Sequence, residues 1–211
     1  MTKNILSPEQ IDYIEEMMNI GAGNAATALE QLLKSRFEMC MPAIHAIAPH
    51  KAFSVIGDPA QTVTCVKMNM IGDCTGKMFF VVPLKQQKRL ETLAGLSVGL
   101  TVKSGDRSGI PVFEEIGNIL AGVYLTSIHD FCRLNIYHTI PVAATDMAQA
   151  VLDETIAIMS AKNELLIIIV NKFLAAEQDE AIDTYLIMIP DANSLKILTD
   201  SIREAQIIAR G

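Results

Sequence analysis

No stretch of this 211-residue chain stays apolar for the roughly 18 residues that a bilayer span requires. The longest candidate, Leu165 to Val170, fits a buried strand instead. The first ten residues, MTKNILSPEQ, lack the apolar core of a secretory signal. A soluble, cytoplasmic protein with no membrane partner is therefore expected. Clustered cations are missing too. The formal charge is -7, which argues against nucleic acid as a partner, because phosphate binding needs grouped Lys and Arg. Lys85, Lys88 and Arg89 form the one local basic group and read as the solvated face of a helix. Cys40, Cys65, Cys74 and Cys132 include no CxxC pair and no paired histidines, so neither a zinc site nor a disulfide framework is indicated. Reduced, mostly buried thiols are expected. His45, His50, His129 and His138 have no consistent Ser or Cys companion, which leaves a nucleophilic triad unsupported. Only 19% of residues are charged while 50% are hydrophobic, so a large core is expected.

What is present is a pattern that occurs twice, 99 residues apart. The first copy runs Asp12-x3-Glu16-x2-Asn19, then 22 residues, then Pro42. The second runs Pro111-x3-Glu115-x2-Asn118, again 22 residues, then Pro141. Glu15, Glu16, Asn19, Ile20, Ala22, Gly23, Thr27 and Pro42 recur as Glu114, Glu115, Asn118, Ile119, Ala121, Gly122, Thr126 and Pro141. Eight identities in 31 ungapped positions point to a duplicated unit, with pseudo-symmetric halves 1–104 and 105–211 in one domain. The Gly- and Ser-rich stretch Gly95 to Gly109 falls between the copies and marks the seam.

The elements follow from caps and periodicity. Ser7, Pro8 and Gln10 predict a helix start. Ile11, Ile14, Met18, Ala22, Ala25, Leu29, Leu32 and Leu33 form its apolar stripe. Met17 with Met18 reads as packing rather than a binding surface. Pro42 introduces an extended segment, 43–48. A hairpin over 62–70 and 77–82 and a helix over 84–94 follow. In the second half Ser108 can cap a helix that buries Phe113, Ile116, Leu120, Val123 and Tyr124. Residues 142–144 are extended, and 147–160 read as a helix peculiar to this half, or longer here. A hairpin over 165–174 and 185–189 and a closing helix to about 208 complete it. The predicted fold is α/β of the α+β type. Two α-β-(short α)-β-β-α units share an antiparallel sheet flanked by two long helices related by a pseudo-two-fold axis.

At about 100° per residue, Asp12, Glu16, Asn19 and Gly23 share one stripe, opposite the apolar face. Glu115, Asn118 and Gly122 do the same on the second helix. These side chains are expected to look into solvent. Gly23 costs the helix roughly 1 kcal/mol relative to Ala, which suggests that another backbone comes close there. Asp12 with Glu16 is a poor metal site, since two surface carboxylates rarely suffice.

The doubled Asp/Ser-x3-Glu-x2-Asn-x22-Pro pattern resembles the signature of the CheC, CheX and FliY phosphatases of chemotaxis, the CheC branch above all. The resemblance covers essentially the whole chain. The second copy departs from it, with Pro111 where Asp or Ser is expected. The resemblance implies a phosphatase acting on phosphorylated CheY, an aspartyl-phosphate regulator that carries its own Mg²⁺, so no cofactor is expected in this chain. Asn19 and Asn118 are then the residues that orient the attacking water. Glu16 and Glu115 anchor the regulator by pairing with a lysine, and Asp12 supports the first site. General-base chemistry by Glu16 is not expected on an exposed helix, where nothing desolvates it. The resemblance also implies binding to the receptor deamidase CheD, and two motifs in one chain suit a monomer. Alternative readings are a non-catalytic module that binds CheY-phosphate or CheD, and a structural protein of the flagellar switch.

Overall fold

The computed structural model describes residues 7–33, 37–40, 42–98, 110–161, 166–175 and 181–210. The chain opens on a reciprocal capping box. The Gln10 N–H donates to Ser7 Oγ (3.2 Å), and the Ser7 N–H donates to Gln10 Oε1 (2.9 Å). Two otherwise orphaned donors are thereby satisfied at the start of α1, Pro8–Leu33. Its inner face is the expected one, with Ile14, Met18, Ala22, Ala25 and Leu29 buried and Met17 buried beside them. The side chains of Leu32 and Leu33 lie outside the described residues.

After α1 come β1 (Phe37–Met39), β2 (Ala43–Ile47), a 3-10 turn (Pro49–Lys51), α2 (Phe53–Ile56), β3 (Thr62–Gly72), β4 (Gly76–Pro83) and α3 (Leu84–Val98). The second half supplies α4 (Ile110–Cys132), β5 (Ile136–His138), β6 (Val142–Met147), α5 (Ala148–Ala161), β7 (Leu166–Ala175), β8 (Ile182–Pro190) and α6 (Ala192–Arg210). The proposed Ser108 cap and the boundary at 104 and 105 lie outside the described residues. Both halves run α-β-β-α-β-β-α, one strand more per half than the sequence predicts. The extra strands, β1 and β5, have three residues each, too few for an alternating pattern to show. The middle helix has 4 residues in the first half and 14 in the second, so α5 is the longer version of a shared element.

The antiparallel sheet is ordered β1-β7-β8-β4-β3-β5, with β2 also on β7 and β6 also on β3. The halves interleave: β1 and β2 complete the hairpin of the second half, and β5 and β6 complete that of the first. The seam between them is β4 against β8, where Phe80 faces Leu186.

Both outer strands break in the same way. Met39 pairs with Phe173 and Ala43 with Val170, four steps along one strand against three along its partner. His138 pairs with Met70 and Val142 with Lys67, again four against three. Each extra residue makes a bulge, and Pro42 and Pro141 stand just before pairing resumes. At a bulge on an outer strand a proline removes no ladder hydrogen bond. This accounts for a proline held at a fixed distance from each helix.

Because strand side chains alternate, the sheet buries both faces. On one face Val66, Met68, Phe80, Val82, Leu186 and Met188 pack under α1 and α4, with Leu90 of α3 and Leu198 and Ile202 of α6 closing the edges. On the other, Cys65, Phe79, Val81, Ile168 and Ile187 meet Ile56 of α2 and Val151 and Leu152 of α5. Cys65, Cys74 and Cys132 are buried and Cys40 is half-buried, all four free. Burial pushes the Cys65 thiol up to about 12, and the thiols are mostly buried, as expected.

The long helices run antiparallel: Tyr13, early in α1, meets Phe131, late in α4, with ring centroids 6.0 Å apart. They cross closely at Gly21. A Cβ there would lie 2.7 Å from Ser127 Oγ and 3.0 Å from Tyr124 Cδ1. The close approach within the chain is thus at Gly21. At Gly23, on the exposed stripe, no described residue lies within 4 Å of a Cβ position. Below the crossing, the buried Tyr124 hydroxyl donates to Asn171 Oδ1 (2.6 Å), tying α4 to β7.

Candidate functional site

The packing of α1 and α4 on the sheet decides which side chains remain outside. On α1, Asp12, Glu16 and Gly23 are exposed, and Ile20 beside them keeps 47% of its surface in solvent. On α4, Pro111 and Glu115 are exposed, while Gly122 is half-buried. The two asparagines depart from expectation. Asn19 and Asn118 are half-buried rather than fully in solvent. Each is the member of its stripe nearest the buried face, about 60° around the helix from the buried Ala22 or Ala121. Each amide therefore leans on the helix shoulder and keeps part of its surface outside.

Asn19 Oδ1 is turned inward without a hydrogen-bond partner. An unpaired buried carbonyl costs roughly 1–3 kcal/mol relative to a satisfied one. The torsion that would turn it outward is broad for an asparagine. The Asn19 amide is thus free to exchange that inward position for a better partner.

The two stripes share a further detail. Thr27 Oγ1 donates to the carbonyl of Gly23 (3.2 Å), and Thr126 Oγ1 donates to the carbonyl of Gly122 (2.9 Å). These bonds, four residues back along the helix, explain why a threonine recurs with the glycine in both copies.

The neighbouring glutamates are not equivalent. Glu114 Oε1 accepts the Ala143 N–H (2.9 Å) and fastens α4 to the start of β6, just after Pro141. Glu115 points away from that bond into solvent, where a visiting protein can reach it. The sequence marks Glu115 as the anchor and gives Glu114 no role, although both recur in the repeat.

The second stripe has a wall. Between the end of α4 and β5 lies a groove of about 350 Å³, lined by Gly122, Thr126, His129, Asn135, Tyr137 and His138 among others. The ring of His138 lies over Gly122: its Nε2 is 3.6 Å from where a Cβ at 122 would stand. His129 Nδ1 lies 3.1 Å from the Leu134 carbonyl at the helix end, where Arg133 takes a left-handed turn (φ 58°). Sequence reasoning weighed both histidines only as members of a nucleophilic triad. The available signal was the place of His138 in the repeat, three residues before Pro141. Among the described residues no three His, Cys, Asp or Glu side chains group as metal ligands.

Chemically, each stripe presents an exposed carboxylate one turn from a partly accessible carboxamide, on a rigid helix. Among the described residues neither stripe groups a nucleophile with a base. Such a surface can pair with a cation and orient a small polar molecule, and it suits completing a site that another molecule brings.

Comparison with known proteins fits this arrangement. Residues 9–45, from α1 through β1 into β2, match the model of the CheC-like family. The chain is 29% identical over 197 residues to the CheY-P phosphatase CheC of Bacillus subtilis (strain 168), covering 92% of this chain and 94% of that one. Among solved structures it is similar to Thermotoga maritima FliY, with a TM-score of 0.74 at 18% identity over 95% of this chain and 99% of the other. It is also similar to a chain of the FliM–SpeE complex from H. pylori, with a TM-score of 0.70 at 12% identity over 96% and 99% of the two chains. The resemblance to CheC-like proteins, first carried by the doubled motif, is thereby shown, and the fold is one shared with FliY.

Proposed function

We propose that this CheC-like chain is a phosphatase that hastens hydrolysis of the aspartyl phosphate of the chemotaxis regulator CheY, at one site on α1 and another on α4. The observation that carries this reading is the pair of matching stripes, each with an exposed glutamate one turn from a reachable asparagine. Support comes also from the similarity over most of both chains to a protein named as a CheY-P phosphatase. The fold is shared with FliY and with the chain from the FliM–SpeE complex, so the fold alone does not select an activity.

An acyl phosphate is already labile, and the regulator brings its own Mg²⁺. The helper then has two tasks. Glu16 or Glu115 pairs with a lysine on the regulator and fixes the docked geometry. Asn19 or Asn118 accepts a hydrogen bond from one water through its amide oxygen and holds that water in line with phosphorus. The water attacks phosphorus, the bond from phosphorus to the aspartyl oxygen breaks, and the carboxylate leaves. For Asn19 the oxygen, which faces inward, first turns outward to meet the water. Asp12 supports the first site from one turn upstream. By the same resemblance the protein also binds CheD, and two motifs in one chain suit a monomer.

The test is decay of phosphorylated CheY with catalytic amounts of protein. Asn19→Ala combined with Asn118→Ala is expected to return the decay to the regulator's own rate. Normal acceleration by that double variant would refute the assignment. A binding module without activity would instead stop after one regulator per site, so multiple turnover separates the two readings.

A further inference from the structure

We infer that His138 is a docking contact belonging to the second site alone, so that the two sites hold the phosphorylated regulator with different strength. This rests on the reading of Glu115 and Asn118 given above.

The ring is placed by its surroundings. His138 Nδ1 lies 3.1 Å from the Thr139 carbonyl, which fixes the proton on that nitrogen. Nε2 is then left for another molecule. It lies over Gly122, one helical turn beyond Asn118, at 3.6 Å from the position of a Cβ. Glycine at 122 leaves that ring edge uncovered, and the side chain is half-buried, with part of it facing the groove.

The strand that carries the ring is held on both sides. Before it, Asp73 Oδ2 accepts the Asn135 N–H (2.7 Å), and the Asp73 N–H donates to the Asn135 carbonyl (2.9 Å). After it, the Thr139 N–H donates to the Asn69 carbonyl (3.0 Å). Within it, His138 pairs with Met70 of β3. A side chain on so firmly held a strand is positioned before the partner arrives, which lowers the ordering cost of docking.

A regulator seated on Glu115 and Asn118 therefore meets an imidazole nitrogen one turn further along. That nitrogen, an acceptor in this tautomer, suits a hydrogen-bond donor beside the phosphorylation pocket. At the first site the position 99 residues earlier holds Met39, a residue type that offers no such nitrogen.

The experiment isolates each site. In an Asn19→Ala background only the second site turns over. There His138→Ala is expected to raise KM for phosphorylated CheY about five- to tenfold, the worth of one hydrogen bond of about 1 kcal/mol or slightly more, with kcat within about twofold. His138→Gln, which carries an amide near the place of Nε2, is expected to recover part of the loss. In an Asn118→Ala background, where only the first site works, His138→Ala is expected to leave KM where it was. An unchanged KM at the second site overturns the inference. So does an equal change in both backgrounds, which would mark a general structural effect. Acceleration that survives Asn19→Ala with Asn118→Ala sinks the reading beneath it as well, a result distinct from either.

Discussion

The α1 and α4 stripes occupy the same frame but different surroundings. Both place Glu one turn before Asn, and both back-bond a threonine to a glycine carbonyl, at 3.2 and 2.9 Å. Both are followed by a proline at a one-residue bulge. Beyond that they part. The α1 stripe begins with an acid, Asp12, and ends in open space at Gly23. The α4 stripe begins with Pro111, ends under His138, and is fastened to β6 through Glu114. The two stripes keep what aims the amide and differ in what surrounds it. Features shared by the halves therefore point to chemistry, and features confined to one point to affinity or stability.

The largest effect expected from breaking this comparison is on turnover. Asn19→Ala and Asn118→Ala, made singly, should each remove one site's share of the acceleration. If the sites act independently, the two residual rates above the regulator's own decay add up to the wild-type value. Steady-state decay of phosphorylated CheY measures all three. A sum well away from wild type would mean that the interleaved sheet couples the sites, and that the comparison cannot be drawn helix by helix.

A smaller effect separates the glutamates that precede the anchors. Glu114→Ala leaves the Ala143 N–H without its acceptor and should cost about 1–2 kcal/mol in urea unfolding. Glu15→Ala, at the matching exposed position of α1, should stay within about 0.5 kcal/mol. Equal costs would mean that the fastening of α4 to β6 adds nothing, and the second site would lose its claim to a firmer frame.

Much of this was legible in the sequence because it is local. Ser7 and Gln10 spell a capping box over four residues, and the stripes of α1 and α4 span several turns each. The hairpins carry apolar runs on both sides of a turn, as strands buried on both faces do. The candidate glutamates and asparagines were legible because they repeat. What escaped is non-local or small. Pairing of β1 and β2 with β7, and of β5 and β6 with β3, joins residues that are far apart in the chain, Gly72 with Ile136 at the nearest, and leaves no local pattern. The half-burial of Asn19 and Asn118 depends on how each helix settles on the sheet. A close crossing looks the same in sequence at Gly21 as at Gly23, and only the position of Tyr124 and Ser127 decides between them.

The smallest effect concerns the glycines that end the stripes, and it tests why they are glycines. In a helix Gly→Ala gains up to about 1 kcal/mol when the methyl has room. At Gly23 it has room, since nothing lies within 4 Å. At Gly122 the methyl would rest against His138 at 3.6 Å, an ordinary contact. Neither glycine is required by the fold of the free chain, so both alanine variants should melt slightly above wild type, Gly23→Ala by the wider margin. Turnover should move the opposite way. If the docked regulator brings its backbone against the stripe, Gly23→Ala in the Asn118→Ala background should lose severalfold in kcat/KM while gaining stability. A gain in stability with turnover unchanged would show that no partner comes near Gly23, and would break the comparison at its open end.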